Sequence, residues 1–401
     1  MKQEEKMLLG RLKQALNPDL KTTVIIDECR ERELSQIFET AKRHTVLPLL
    51  FDVYEHVAEG YGEVLRQSAV VTVRSNYRLL FLTKYITQLL EKEGICAILL
   101  KGAATASYYP VPELRKSGDV DILIPREESF QRAVELLKKE GFIECEDQFT
   151  QHHIELKNDE GISVEVHSIL AEPFESRKMN QYLETLLLAY EEHVIQNDSW
   201  GITIYQPGDA YHAFYLVVHM LQHFLRAGFG LKFLCDWTVF WNREVAEEEK
   251  ETFLCLVKES GTKGFVTVLT KACIEYLGLR EQSAGFLLEK SELPGETDLK
   301  RLAEEFMEEV FAGGEFGHDD RQRMVAMRGT GITAYIREFH HQMHLNYPKV
   351  GNIFLLWPLL WLLTLWRFLH NNRAIRKVKG WDILKEAGRR SRLIDRMKLF
   401  S

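Results

Sequence analysis

The sequence predicts an α+β fold, in which a small sheet-containing core lies between N-terminal helices and a larger helical region. Three observations support this prediction. Residues 1 to about 65 carry apolar side chains at helical spacing, without the alternation of a strand. Residues 95–140 follow the order strand, glycine turn, strand, helix, and helical periodicity returns from about residue 208.

Composition narrows the class of protein. The 401 residues are 45% hydrophobic and 27% charged, which is typical of a globular chain with a sizeable core. The formal net charge of -8 argues against broad, sequence-independent nucleic-acid binding, which needs a basic surface. The six cysteines are scattered without a C-x-x-C pair, as in a reducing compartment, and the N-terminus lacks the apolar core of a signal peptide. We therefore expect a cytoplasmic protein.

Two segments precede the most informative stretch. Residues 70–93 predict a long amphipathic helix that ends at Gly94. Residues 95–100 (Ile-Cys-Ala-Ile-Leu-Leu) then predict a short buried strand, and Lys101-Gly102 predicts a turn after it.

The next apolar run carries two aspartates, Asp119 and Asp121, separated by one residue. Side chains alternate along a strand, so the two carboxylates share one face while Val120 and Ile122 point to the core. Two neighbouring carboxylates repel each other, and Mg²⁺ bound by one or two carboxylates plus substrate phosphates relieves that repulsion. The alternative is an ordinary solvated strand edge.

The surrounding residues extend this pattern. Lys101-Gly102-Ala103-Ala104, Tyr109-Pro110 and the run from Arg115 to Pro125 follow the order K-G-x-A, Y-P and R-x-x-G-D-h-D-h-L-h-P, where h is apolar. In this order the chain resembles an uncharacterised bacterial branch of the polymerase-β-like nucleotidyltransferase superfamily. The resemblance implies a small mixed-sheet nucleotidyltransferase core that binds two Mg²⁺ ions and a nucleoside triphosphate. ATP is the leading candidate for the triphosphate. The chain departs from the common superfamily pattern in two respects. Ala103 stands where a serine usually follows the glycine, and the gap before the aspartates is longer.

A helix and a hairpin follow the aspartate strand. Residues 127–140 predict an amphipathic helix that stops at Gly141. Residues 153–157 and 162–167 alternate around an Asn-Asp-Glu-Gly turn and predict a β-hairpin, with Ser163, Glu165 and His167 on one face. The resemblance implies that Glu165 is the third carboxylate of the metal site and that His167 lines the cleft. An exposed glutamate on a hairpin is the alternative.

The helical region carries further candidates. His219 and His223 are spaced by four residues, so they share a helix face and offer a possible metal pair, but the H-E-x-x-H pattern of metalloproteases is missing. Lys232 and Asp236 follow in the next segment. By resemblance, these four residues either line the substrate cleft or form a buried polar network.

The C-terminal tail is apolar and then basic. Residues 353–366 would rise only about 21 Å as a helix, whereas the hydrocarbon core of a bilayer is about 30 Å thick, so a full span is not expected. Basic residues follow: Arg367, Arg373, Arg376, Lys377, Lys379, Arg389, Arg390, Arg392 and Arg396. Contact of residues 350–401 with the inner membrane face, and burial against the helical domain or a partner, are both compatible with this pattern.

Together these patterns predict four parts: an N-terminal helical segment (1–68), the nucleotidyltransferase core (69–205), a helical substrate-side domain (206–345) and the tail (346–401). The predicted reaction is Mg²⁺-dependent transfer of a nucleoside monophosphate to a hydroxyl acceptor, which is a sugar, small molecule, peptide or protein. Asp119, Asp121 and Glu165 are the predicted metal ligands, and Lys101, Gly102, Ala103 and Arg115 are the predicted phosphate-binding residues. Two structural alternatives are a solvated Lys101 and an Arg115 paired with Asp119 or Asp121. The functional alternative is a non-catalytic scaffold for a membrane-associated biosynthetic enzyme.

Overall fold

A computed structural model describes residues 1–19, 31–53, 59–145, 153–198, 201–226, 230–289, 295–314, 353–371 and 389–400, with a few further positions between 336 and 350. Its N-terminal and core helices are α1 Gln3–Leu16, α2 Glu31–Arg43, α3 Glu59–Lys92, α4 Ala103–Ala106, α5 Glu127–Lys139 and α6 Arg177–Glu192. Its later helices are α7 Asp209–Arg226, α8 Leu231–Asn242, α9 Glu247–Glu259, α10 Lys263–Leu277, α11 Glu281–Ala284, α12 Glu296–Gly313 and α13 Trp357–Asn371. Residues 389–396 are also helical.

The main sheet has five strands in the order β1-β2-β5-β4-β3. Their bounds are β1 Ile98–Leu99, β2 Asp119–Leu123, β3 Ile143–Glu144, β4 His153–Lys157 and β5 Ser163–His167. Strands β2 and β5 run parallel, while the other neighbours are antiparallel. The predicted α+β class with a small mixed sheet is therefore confirmed, and so is the hairpin formed by β4 and β5.

One face of this sheet is apolar and packs against helices. Val120, Ile122, Val164 and Val166 have at most 1% of their surface exposed, and they share a core with residues of α3 and α5. Alternation along β2 and β5 places the remaining side chains on the opposite face. The functional candidates on these strands therefore lie on the face turned away from α3 and α5.

A second apolar core joins the two ends of the chain. It contains Leu8 and Leu12 of α1, Ile37 of α2, and many residues of α7 to α12. Leu123 at the end of β2 and Leu100 after β1 belong to this core as well. The end of β2 thus contacts both cores, which fixes the sheet relative to α7 and α8.

Some boundaries differ from the predictions. Helix α3 begins at Glu59 rather than at residue 70. Val70 and Val71 are exposed on this helix, so the spacing of apolar residues does not show where it begins. Pairing in the first strand is limited to Ile98–Leu99. A separate two-stranded sheet, β6 Val194–Asn197 with β7 Ile204–Pro207, was not predicted, because each strand is only four residues long.

The tail divides into an exposed part and a docked part. Phe354, Leu355 and Leu362 expose 65% or more of their surface beside or on α13. Among the described residues, no helix combines the length and apolarity needed to cross a bilayer. Arg390, by contrast, is buried and pairs with Glu309 of α12 at 2.7 Å, so part of the predicted basic surface is committed internally. The basic residues at 373–379 lie outside the described residues.

Candidate active site

Two parallel strands carry the three acidic candidates. In the register of β2 and β5, Asp121 lies beside Glu165 and Asp119 beside Ser163. The intervening valines and isoleucines are buried in the sheet's apolar core, so the acidic side chains must point to the other face. One strand pairing thus brings together Asp121 and Glu165, which are 44 residues apart in the sequence.

The carboxylates of Asp119, Asp121 and Glu165 converge. Their ligand oxygens lie within 4.8 Å of one another. The negative charge of Asp121, together with burial, raises the pKa of Asp119. Asp121 is fully buried, and its Oδ2 atom has no hydrogen-bond partner among the described residues. A buried carboxylate oxygen without a partner, beside two further carboxylates, is a donor set that fits a divalent cation.

Lys101 enters the same cluster from the end of β1. Its Nζ atom lies 2.8 Å from Asp121 Oδ1, and its side chain is mostly buried. Burial alone would lower the pKa of Lys101, but the charges of Asp121 and the other carboxylates outweigh it, and the pKa is raised well above the ordinary value. The side chain is thus a permanent cation against the carboxylates, and the alternative of a solvated lysine is wrong.

Gly102 and Ala103 form the turn after Lys101. Gly102 has a φ of 62°, a left-handed conformation that favours glycine, and Ala103 begins the short helix α4. Both residues line a small pocket that Asp119 and Ser117 also border, with Leu79 among the α3 residues of its wall. The pocket lies on the α3 side of this turn, and of the three carboxylate residues Asp119 borders it.

His167 lies at the edge of the carboxylate group. Its Nε2 atom is 3.3 Å from both Asp121 Oδ1 and Glu165 Oε2. Burial would lower the pKa of His167, but the hydrogen bonds with these two carboxylates raise it above its ordinary value. In the same way, burial would raise the pKa of Glu165, but the hydrogen bond with His167 and the charge of Lys101 lower it. Glu165 is consequently ionised at neutral pH.

Helices α7 and α8 bring the remaining candidates near the carboxylates. The rings of His219 and His223 are 4.5 Å apart, and Phe233 packs against both. Burial and the charges of Lys101, His223 and Lys232 lower the pKa of His219. The charge of Lys232 also offsets part of the rise in the pKa of Asp119. Among the described residues, His219 and His223 join no third potential metal ligand. The influence of Lys101 on His219 places this pair near the carboxylates.

Sequence reasoning missed Tyr215. It stacks on His219 with ring planes 14° apart, and its electrostatic surroundings include Lys101 and all three carboxylates. Burial raises the pKa of its hydroxyl, which therefore remains protonated. Tyr215 stands four residues before His219, so the helical spacing that joined the two histidines could also have found it.

Arg115 and Asp236 form a buried ion pair. The guanidinium donates to both carboxylate oxygens of Asp236, Nε to Oδ1 at 2.7 Å and Nη2 to Oδ2 at 2.8 Å. The Tyr109 hydroxyl donates to Asp236 Oδ1 at 2.6 Å, and Arg115 Nη1 donates to Ser117 Oγ at 3.0 Å. Arg115 and Asp236 are both buried. Of the alternatives for Asp236, the buried polar network is the one observed, and Arg115 pairs with Asp236 rather than with Asp119 or Asp121.

Comparisons with known proteins match a large part of the chain to one family. Residues 30–278 match a protein family described as uncharacterised nucleotidyltransferase. Among solved structures, the chain is similar to an antigenic nucleotidyltransferase-like protein from Paracoccidioides brasiliensis, with 16% identity, coverage of 51% of this chain and 95% of that chain, and a TM-score of 0.31. A search of curated proteins gives no match.

Proposed function

The chain belongs to the uncharacterised nucleotidyltransferase family, and we propose that it catalyses a Mg²⁺-dependent transfer reaction. In this reaction a nucleoside monophosphate passes from a nucleoside triphosphate to a hydroxyl acceptor, and ATP is the leading candidate for the triphosphate. The observation that carries this proposal is the convergence of Asp119, Asp121 and Glu165, together with a buried Asp121 Oδ2 atom that has no hydrogen-bond partner among the described residues. These three residues would hold the ions. Bound Mg²⁺ would neutralise the phosphates and activate the acceptor hydroxyl.

The phosphates would be met by Lys101 and the turn after it. The Lys101 ammonium already lies at the carboxylate cluster, so it would neutralise charge on a pyrophosphate that leaves from metal ions held there. Gly102, with a φ of 62°, would let the backbone of this turn approach a phosphate without an intervening side chain. Most of the rate enhancement would then come from positioning and charge.

Arg115 takes a different role in this proposal. Its ion pair with Asp236 ties the segment before β2 to α8, so it positions Asp119 and Asp121 rather than touching phosphate. The acceptor would enter between the carboxylates and the wall formed by Tyr215, His219, His223 and Lys232. That wall offers hydroxyl, imidazole and ammonium groups, which suits a polar acceptor.

The test is a transfer assay with each α-³²P-labelled nucleoside triphosphate, Mg²⁺ and a fractionated cell extract as the source of acceptor. We expect Asp119→Asn and Asp121→Asn to lower transfer by about a thousandfold, since several kcal/mol of charge stabilisation in the transition state correspond to that factor. Asp159→Asn is the matched control, because it makes the same chemical change at the exposed hairpin turn. Transfer that survives both aspartate substitutions would refute the proposal.

The alternative function is a non-catalytic scaffold, and the exposed apolar surface around α13 is the observation that favours it. Calorimetry with ATP separates the two. Mg²⁺-dependent ATP binding that Asp121→Asn removes supports the enzyme. Flotation of the full chain on anionic liposomes without any Mg²⁺-dependent ATP binding supports the scaffold.

A further inference from the structure

A second group of potential metal ligands lies beside the three carboxylates, on strands β4 and β5. The antiparallel register places His153 directly opposite His167. The two rings are 5.2 Å apart between centroids, at an angle of 40°. Glu165 lies two residues before His167, so alternation brings its carboxylate to the same face.

The ligand atoms of His153, Glu165 and His167 lie within 4.8 Å of one another. All three side chains are half-buried, which leaves the group open to a cation and to one further ligand from solvent or substrate. Because the two histidines sit on paired strands of one sheet, their spacing is fixed by backbone hydrogen bonds rather than by a loop.

The donor set distinguishes this group from the carboxylate cluster. Two imidazoles and one carboxylate suit Zn²⁺ and similar first-row cations, which take nitrogen ligands and often keep an open fourth position. Mg²⁺ prefers oxygen ligands, and Asp119, Asp121 and Glu165 supply oxygen atoms alone. Asp121 adds negative charge next to His167, with Oδ1 3.3 Å from Nε2, and so favours a cation at this edge of the cluster.

We propose that His153, Glu165 and His167 form a site for Zn²⁺, next to the proposed Mg²⁺ site and sharing Glu165 with it. The existence of the Zn²⁺ site does not depend on the transfer reaction. Only its consequence rests on the proposed function: an ion held by Glu165 and the two histidines withdraws Glu165 from Mg²⁺. Zn²⁺ would therefore inhibit or retune the transfer.

The experiment uses the full chain, stripped with a chelator and desalted. Zn²⁺ affinity is measured by competition with a chromophoric chelator, and Co²⁺ serves as a spectroscopic probe of the same site. We expect His153→Gln to weaken Zn²⁺ binding at least 100-fold and to remove the visible Co²⁺ bands. Asp119→Asn should keep both, because Asp119 belongs to the carboxylate cluster alone.

Two control variants test whether binding is local. His193→Gln removes an exposed histidine at the end of α6 and should leave Zn²⁺ affinity unchanged. His219→Gln removes one of the α7 pair and should also leave it unchanged. Unaltered affinity in His153→Gln, or an equal loss in either control, overturns the proposal.

A measurement on the unsubstituted chain guards against a variant that fails to fold. X-ray absorption of the protein loaded with one equivalent of Zn²⁺ should show nitrogen and oxygen ligands with the scattering pattern of two imidazoles. Sulfur ligation, or one imidazole or none, contradicts the site. The two proposals also fail separately: His153→Gln reports on the Zn²⁺ site, whereas Asp119→Asn reports on Mg²⁺-dependent transfer.

Discussion

Two buried charge clusters stand only a few residues apart in this protein, and they differ in how well their charges are matched. The arginine cluster consists of Arg115, Asp236 and Tyr109. Both oxygens of Asp236 accept hydrogen bonds from Arg115, and Tyr109 adds another. Its cation and anion balance within the protein.

The carboxylate cluster consists of Asp119, Asp121, Glu165, Lys101 and His167. Its three carboxylates crowd one another, the pKa of Asp119 is raised by its neighbour Asp121, and Asp121 Oδ2 has no partner among the described residues. A matched cluster holds the fold together, whereas an unmatched one retains electrostatic energy that a ligand can release. This difference separates structural from functional candidates better than residue type does.

The largest expected effect on stability comes from breaking the arginine cluster. Arg115→Met leaves Asp236 buried without its cation, and we expect the free energy of unfolding to fall by about 4 kcal/mol. Urea denaturation of the full chain measures this. The double variant Arg115→Met/Asp236→Leu should regain most of the loss, because it removes both charges. A single variant as stable as the double variant would contradict the matched ion pair.

In the carboxylate cluster, removing a charge should instead stabilise the fold. Asp119→Asn removes a charge that Asp121 repels, so the metal-free protein should become more stable, by about 1 kcal/mol. In the unsubstituted chain, Mg²⁺ at a hundred times its dissociation constant should add about 2.7 kcal/mol. Asp119→Asn should lose most of that gain. Thermal unfolding with and without Mg²⁺ measures both effects, and an Asp159→Asn control should behave like the unsubstituted chain.

A third buried group, His212, is held neutral between these clusters. Its Nε2–H donates to the Leu100 carbonyl at 3.1 Å, its Nδ1 accepts from the Tyr108 hydroxyl at 2.7 Å, and burial lowers its pKa to about 3. The unfolded chain, with an ordinary histidine pKa of about 6.5, binds more protons than the folded chain between these values, so stability falls as the pH drops below about 6.5.

At pH 5 this histidine should cost about 2 kcal/mol of stability relative to pH 7.5. The measurement is the slope of unfolding free energy against pH, compared between the unsubstituted chain and His212→Phe. The variant should have the shallower slope, whatever its baseline stability. Parallel slopes would show that His212 does not stay neutral in the fold.

A single hydrogen bond tests the arginine cluster more finely. Tyr109→Phe removes one hydrogen bond to Asp236, but both bonds from Arg115 remain, so we expect a loss of about 1.5 kcal/mol. Tyr85→Phe is the matched control, since the Tyr85 hydroxyl also donates to a carboxylate, that of Glu140, but on the exposed surface. It should cost less than about 0.5 kcal/mol. Equal losses would mean that burial does not strengthen the Asp236 network.

The sequence alone predicted much of the sheet and the carboxylates on it. The alternation of apolar and polar residues along 119–124 and 162–167 showed which side chains share a face. This could be predicted because the alternation of side chains along a strand depends only on the local backbone. The grouping of Glu165 with Asp119 and Asp121 came only from the family resemblance, and the parallel pairing of β2 with β5 was not predicted. The roles given to these residues stay predictions until transfer is measured.

What local patterns could not supply is the identity of distant partners. Arg115 and Asp236 lie 121 residues apart, and nothing in either segment specifies the other. The start of α3 escaped for a related reason, since its exposed valines blur the apolar stripe. Periodicity reports the face that a side chain occupies, but only the folded chain reports what lies against it.

The parallel pairing of β2 with β5 has a consequence for how this protein tolerates insertions and deletions. The turn at residues 158–161 lies outside the ladder that joins Asp121 to Glu165, so its length can vary without moving either residue. A residue gained or lost between Ser163 and Glu165 instead sends the glutamate to the opposite side of the sheet, among the valines. Loop length is therefore open to change on this hairpin, while strand phase is not.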